Sequence, residues 1–200
     1  MANTTEDTTA PTKPTRMWFW LAIAGLAVVI ALVAYAQGST ESDATPTSLA
    51  SLSELSNEAP TQGDPAADFS VPTHAGDSFS LSEHLANDGR PVFLNLWASW
   101  CFPCRAEMPA IDVASASHPD VLFIGVAVND SLEDAEAFAD EVGVSYTLAY
   151  DDEAQVANGY PVLGMPATFL ISADGRVVKT IFGSVDEALI AQHIEESFGL

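Results

Sequence analysis

The two cysteines of the 200-residue chain stand together in Trp100-Cys101-Phe102-Pro103-Cys104. Residues three apart at a helix start lie on one face, near enough for a disulfide. The segment follows an apolar run and opens a stretch of helix-forming composition, so the first thiol meets unpaired backbone N–H groups and the positive helix end. Both favour its thiolate. The second thiol lies one turn deeper, placed to attack a mixed disulfide formed by the first. Pro103 falls in the first turn, where its missing N–H costs nothing and its ring stiffens the loop. Reversible thiol–disulfide exchange is the chemistry that needs two cysteines at this spacing.

Other uses of the pair fit less well. A structural disulfide across two residues constrains the unfolded chain little. A zinc site lacks two ligands, because none of His74, His84, His118 or His193 lies in a paired spacing. Covalent haem attachment needs a histidine after the second cysteine, where this chain has Arg105. The reading therefore calls for no cofactor and no metal.

The elements that must position the pair follow from the apolar pattern. Val92 to Ala98 (VFLNLWA) and Val121 to Val128 (VLFIGVAV) are continuous apolar runs suited to strands buried on both faces. Between them Cys101 to about Ser117 reads as a helix with Met108-Pro109 as its kink. Leu132 to Val142 spaces its apolar residues along one helical face. Ala167 to Ile171 and Val177 to Phe182 flank Asp174-Gly175, a hairpin signal, and Asp186 to Phe198 is a closing amphipathic helix. This order describes an α/β fold whose mixed sheet has one antiparallel edge.

The segment PVFLNLWASWCFPCRAEMP resembles the active-site region of the TlpA/ResA-like thiol-disulfide oxidoreductases, a membrane-tethered branch of the thioredoxin fold related to the AhpC/TSA redoxins. AADFSVPTHAGDSFSLSEH resembles the N-terminal β-hairpin this branch adds, and GMPATFLISADGRVV resembles its cis-proline loop and the hairpin after it. The likeness runs from about Ala66 to the C-terminus. It implies a thioredoxin-like fold in which Cys101 attacks, Cys104 resolves, and the two cycle between dithiol and disulfide. Pro166 would be the cis-proline beside the disulfide, with Met165 offering backbone groups to a substrate peptide. Trp97 and Trp100 would wall the site, although burial in the core explains them nearly as well. Arg105 and Glu107 match the family pattern but read as a solvated helix face. Ordinary thioredoxins carry a buried aspartate where this chain has Asn95, and an amide cannot take the proton released by Cys104. Asp130, after the next strand, has two readings: a group that tunes the thiols, directly or through water, or an acid at the N-terminus of the helix beginning at Leu132.

The resemblance further implies an extracytoplasmic reductant that keeps cysteines of exported proteins, such as apocytochrome c, reduced for haem attachment. Its electrons would come from a membrane protein of the CcdA or DsbD type. An oxidant that introduces disulfides into secreted proteins is the alternative. A peroxiredoxin-type peroxidase would need Pro-x-x-x-Thr-x-x-Cys, and here Ala98 stands where the threonine should. A non-catalytic binding module, such as a copper chaperone, would not need the exchange chemistry at all.

The chain before this domain is organised for a membrane. Residues 1–16 form a short tail with Lys13 and Arg16, and 17–36 hold no charge, with Trp18, Phe19 and Trp20 at one end and Tyr35 at the other. Such a stretch matches the length of a bilayer-spanning helix, and the flanking charges put the N-terminus in the cytoplasm. Cleavage after Ala36 as a signal peptide would deliver the rest to the same side. Residues 37–62 read as a flexible tether and 63–200 as the catalytic domain. With 28 acids against 6 bases, the net charge of −22 excludes nucleic-acid binding through phosphate neutralisation. The acids are spread along the chain, which suits a protein working in salt better than one with a single docking patch for basic partners.

Overall fold

In the computed structural model the described residues are 59–200. The expected membrane span and most of the tether lie outside them. Among the described residues no helix is long and apolar enough to cross a membrane.

The chain runs β1 (Ser70–Pro72), β2 (Ser78–Ser80), α1 (Leu81–Asn87), β3 (Val92–Trp97), α2 (Phe102–Ser117), β4 (Leu122–Ala127), α3 (Leu132–Val142), β5 (Thr147–Tyr150), α4 (Gln155–Gly159), β6 (Ala167–Ile171), β7 (Val177–Phe182) and α5 (Glu187–Phe198). Five strands form one sheet in the order β5-β4-β3-β6-β7. β5, β4 and β3 are parallel, β6 runs antiparallel to them, and β7 runs antiparallel to β6. This is the expected mixed sheet with one addition: β5, absent from the sequence expectation, forms the parallel edge.

β3 is central, and all six of its residues are buried. Its alternation divides the core. Val92, Leu94 and Leu96 pack with Phe69, Val126, Tyr160 and Phe169 on one face. Phe93 and Trp97 pack on the other with Cys101, Cys104, Met108 and Ile111. Burying a large apolar side chain contributes about 1.5–3 kcal/mol, so both faces hold β3 in register.

The helices begin where a side chain satisfies a free N–H. Ser131 caps α3 by accepting from Asp134 N, and Asp186 caps α5 by accepting from Leu189 N. Gly143 ends α3 and Gly199 ends α5 in the left-handed conformation that favours glycine. α2 continues through Pro109 over 16 residues.

The hairpin of β1 and β2 covers the open edge of β5. Thr73 bridges to Ala149, and His74 N donates to Leu148 O at 2.8 Å. That contact occupies backbone groups which would otherwise offer a template for another strand.

Candidate active site

β3 delivers the chain to the site. After Trp97 it turns, Cys101 N donating to Ala98 O at 3.0 Å, and enters α2 with Cys101 as the capping residue. Cys101 and Cys104 are joined by a disulfide, their Cα atoms 5.3 Å apart. Cys101 Sγ accepts from the backbone N–H of Cys104 at 3.2 Å. In the reduced protein the same N–H and the helix N-terminus would favour negative charge on Cys101. Cys104 is fully buried, while Cys101 retains a slight exposure. The outer sulfur is thus the one a second protein can reach.

The register of the sheet brings the proline loop to the same end. Leu96 of β3 pairs with Ala167 of β6, so Met165-Pro166 lies beside the exit of β3 that leads to Cys101. The Met165–Pro166 bond is cis, as the resemblance implied. Met165 is half-buried and packs against the core cluster that contains both cysteines. Gly183 N donates to Pro166 O at 2.9 Å, and Ser184 Oγ donates to Pro103 O at 3.5 Å. The segment after β7 therefore closes against both loops.

The rim is apolar. Trp100, Phe102, Leu163 and Phe182 are exposed, although each is large and hydrophobic. Trp100 and Phe102 flank Cys101 in sequence, Leu163 precedes the proline loop, and Phe182 pairs with Ala167. Pro103 is exposed beside them. Trp97 is fully buried and stacks on Phe138 at 5.1 Å, so it serves the core rather than the wall.

Beneath the pair the structure corrects the expectation for Glu107. It is not on a solvated face: its side chain is buried, three residues beyond Cys104 on the inner side of α2. Glu107 Oε1 accepts from Asn95 Nδ2 at 2.8 Å, and Oε2 accepts from Val185 N at 3.0 Å. Burial pushes this carboxyl up to about 7, against the opposing pull of those two hydrogen bonds. Asn95 also donates to Thr168 Oγ1 at 3.2 Å. The amide that cannot take a proton therefore holds in place the carboxyl that can.

Asp130 and Arg105 take outer positions. The Asp130 carboxylate accepts from Ser99 N, from Ser99 Oγ at 2.9 Å and from Ser131 N at 3.0 Å. It braces the turn before Cys101 and the start of α3, and its hydrogen bonds are with the loop rather than with sulfur. Arg105 behaves as a surface residue, paired with Glu141 at 2.7 Å and lying 4.4 Å over the Phe138 ring.

A disulfide at a helix tip, an apolar rim and a buried acid one helical turn beyond the inner cysteine define a thiol-disulfide oxidoreductase of thioredoxin-like fold. Residues 62–180 match the AhpC/TSA family, and the chain belongs to it. It is 34% identical to the thiol-disulfide oxidoreductase ResA of Geobacillus thermodenitrificans over 135 residues, 66% of this chain and 76% of that one. Against ResA of Bacillus subtilis the identity is 32% over 139 residues, 68% and 76% of the two chains. Among solved structures it is similar to a Chlorobium tepidum protein taken to be the thiol:disulfide interchange protein DsbE. That match has a TM-score of 0.62 and 32% identity, covering 69% of this chain and 98% of that one.

Proposed function

We propose that the protein is a membrane-anchored, extracytoplasmic reductant of disulfides in exported proteins, with apocytochrome c awaiting haem attachment as the leading substrate. The observation that carries the reading is Glu107, a buried carboxyl three residues beyond Cys104 on the inner side of α2, which burial pushes up to about 7. In the reduced protein the Cys101 thiolate attacks one sulfur of a client disulfide. This forms a mixed disulfide and releases the client's other sulfur as a thiolate, which takes a proton from solvent. Cys104 then gives its proton to Glu107 and attacks Cys101 Sγ. The Cys101–Cys104 bond forms, the mixed bond breaks, and the client's second sulfur leaves reduced. Two electrons have passed to the client.

The oxidised pair is then reset by a membrane dithiol donor of the CcdA or DsbD type. The charge-free segment at 17–36, with Lys13 and Arg16 before it, supports delivery of the domain to the outer side. Phe102-Pro103 adds no charge between the cysteines, so nothing there stabilises the thiolate enough to make a strong oxidant.

Two measurements test the proposal. Cys104→Ser in cells should trap mixed disulfides through Cys101, and the captured proteins should include exported cytochrome precursors. The reduction potential should fall near that of thioredoxin, about −270 mV. A potential far above it, with the pair found oxidised in cells, would reverse the direction and make the protein an oxidant of secreted proteins.

A further inference from the structure

Among the described residues only two that are not glycine have a positive φ, Asn129 at 53° and Ala154 at 56°. L-residues enter that left-handed region at a cost, asparagine less than most, and such strain gathers at functional sites. Ala154 starts α4, where the Asp151 carboxylate accepts from Val156 N and Ala157 N. Asn129 has a different setting, in the loop between β4 and α3. That loop is joined residue by residue to the turn that leads from β3 into Cys101. Val128 N donates to Trp97 O at 3.0 Å, and Asp130 accepts from Ser99 N and Ser99 Oγ. Between these contacts Trp100 Nε1 donates to Asn129 O at 3.3 Å. The backbone angles of Asn129 therefore set where that carbonyl points.

Trp100 is 62% exposed, although its ring is large and apolar, and its one polar side-chain atom is the N–H that Asn129 takes up. Its Cα lies one peptide, about 3.8 Å, from that of Cys101. A protein joined to Cys101 through a mixed disulfide therefore meets this residue. A tryptophan free to turn would lose its rotamer freedom at each encounter, and that loss weakens binding. One held by its N–H has lost that freedom already and keeps its apolar ring for the partner.

We infer that Asn129 is a positioning residue for recognition of protein disulfides: its left-handed backbone aims its carbonyl at Trp100 Nε1 and holds the exposed indole next to Cys101 as a ready apolar platform. The inference rests on Cys101 bonding to protein partners, and it holds whichever way the electrons run. The role belongs to the main chain of Asn129 rather than to its amide. Glycine, which adopts the same angles freely, should therefore serve at this position, and a β-branched residue should not.

The test measures kcat and KM of the full chain on insulin, a protein disulfide, and on oxidised glutathione, with dithiothreitol as the electron source. Asn129→Val should raise KM for insulin about three- to tenfold, the range one lost hydrogen bond spans, with kcat held within about twofold. The loss with glutathione should be smaller, and Asn129→Gly should return KM to the wild-type value. Trp100→Phe, which keeps a ring without the N–H, should raise KM for insulin by a similar factor. Adding Asn129→Val to it should then bring no further loss. The Trp100 indole N–H resonance, identified by its absence in Trp100→Phe, should be protected from solvent exchange in the wild-type and Asn129→Gly chains and unprotected in Asn129→Val. An indole N–H that exchanges freely in the wild-type chain overturns the inference without any substitution. So does an Asn129→Val effect that is as large in the Trp100→Phe background as in the wild type. A wild-type chain unable to reduce insulin overturns the exchange reading and the inference together, whereas one that reduces it with KM unmoved in Asn129→Val overturns the inference alone.

Discussion

Asn95 Nδ2 donates to Glu107 Oε1 at 2.8 Å across the space between β3 and α2, and both side chains are buried. This bond fixes the buried carboxyl that is proposed above as the site's proton acceptor. A strand residue at position 95 has become the holder, and a helix residue one turn beyond Cys104 has become the acid. The cost of burying a carboxyl is met partly by hydrogen bonds from Asn95 and Val185 and partly by retaining the proton up to near neutrality.

The first prediction follows from that pKa. Glu107 in the folded, oxidised protein titrates near 7, above its ordinary value of 4.5. A carboxyl raised on folding is more protonated in the native than in the unfolded chain. Its contribution to stability is therefore complete below about pH 4.5 and is lost as pH rises through about 7. Urea denaturation of the oxidised domain should show stability falling between pH 5 and pH 8 by at most about 3 kcal/mol. Glu107→Gln, which keeps the shape but cannot ionise, should flatten that dependence. An unchanged slope in the variant would place the titration elsewhere.

The same substitution should act on the chemistry. With no carboxylate behind Cys104, its proton must leave by a slower route, and a positioned base contributes about 10²-fold or more. Stopped-flow measurement of mixed-disulfide collapse in Glu107→Gln should show a slower step without the inflection near neutral pH. The preceding attack by Cys101 should change far less, because its sulfur is served by the α2 N-terminus and Cys104 N.

Much of this site was legible in the sequence. The cysteine pair and the strand before it announced themselves by spacing and by an unbroken apolar run, and the proline loop by its resemblance to a family segment. Glu107 was missed because an acid on a helix is usually solvated. A signal was present: Cys104, Glu107, Met108 and Ile111 follow the i, i+3, i+4, i+7 spacing of one helical face, and the other three are apolar. β5 was missed for a different reason. Its four residues, TLAY, are too short for a clear period, and their burial comes from β4 on one side and the β1–β2 hairpin on the other. Such partners are set by tertiary structure and leave no local mark.

Asp130 gives a prediction that separates its two readings. Its carboxylate accepts from Ser99 N, Ser99 Oγ and Ser131 N, so Asp130→Ala leaves three groups at the turn before Cys101 without that acceptor. Stability in both redox states should fall by about 1–3 kcal/mol, while the inflection near neutral pH stays in place. If instead the thiol midpoints move with little loss of stability, Asp130 tunes the sulfurs rather than the loop.

The rim should matter to proteins more than to small disulfides. Phe102, next to Cys101 in sequence, and Leu163, three residues before Pro166, are large, apolar and exposed. Burying one such side chain against a client contributes about 1.5 kcal/mol or more, so Phe102→Ser or Leu163→Ser should raise KM for a protein disulfide about tenfold. The loss with oxidised glutathione, which has little apolar surface to cover, should be smaller. Equal losses on both substrates would mean that the rim shapes the disulfide rather than the encounter.

The charge of the domain makes the last prediction. Residues 37–200 hold 26 acids and only Arg90, Arg105, Arg176 and Lys179 as fixed cations. Each of the four is already paired, with Asp88, Glu141, Asp174 and Glu196 respectively. These pairs lie at the surface, where each contributes little, and the remaining acids repel one another with no cation left to offset them. Screening shortens that repulsion from about 10 Å at 0.1 M salt to about 3 Å at 1 M. Raising sodium chloride over that range should therefore raise the melting temperature, even though it weakens the four pairs. The rise should persist in Arg90→Gln, which removes one pair and adds one uncompensated acid, and should be larger there than in the wild-type chain. A melting temperature that stayed level or fell with salt would show that the paired cations outweigh the excess acids, and the case for a protein adapted to saline surroundings would go with it.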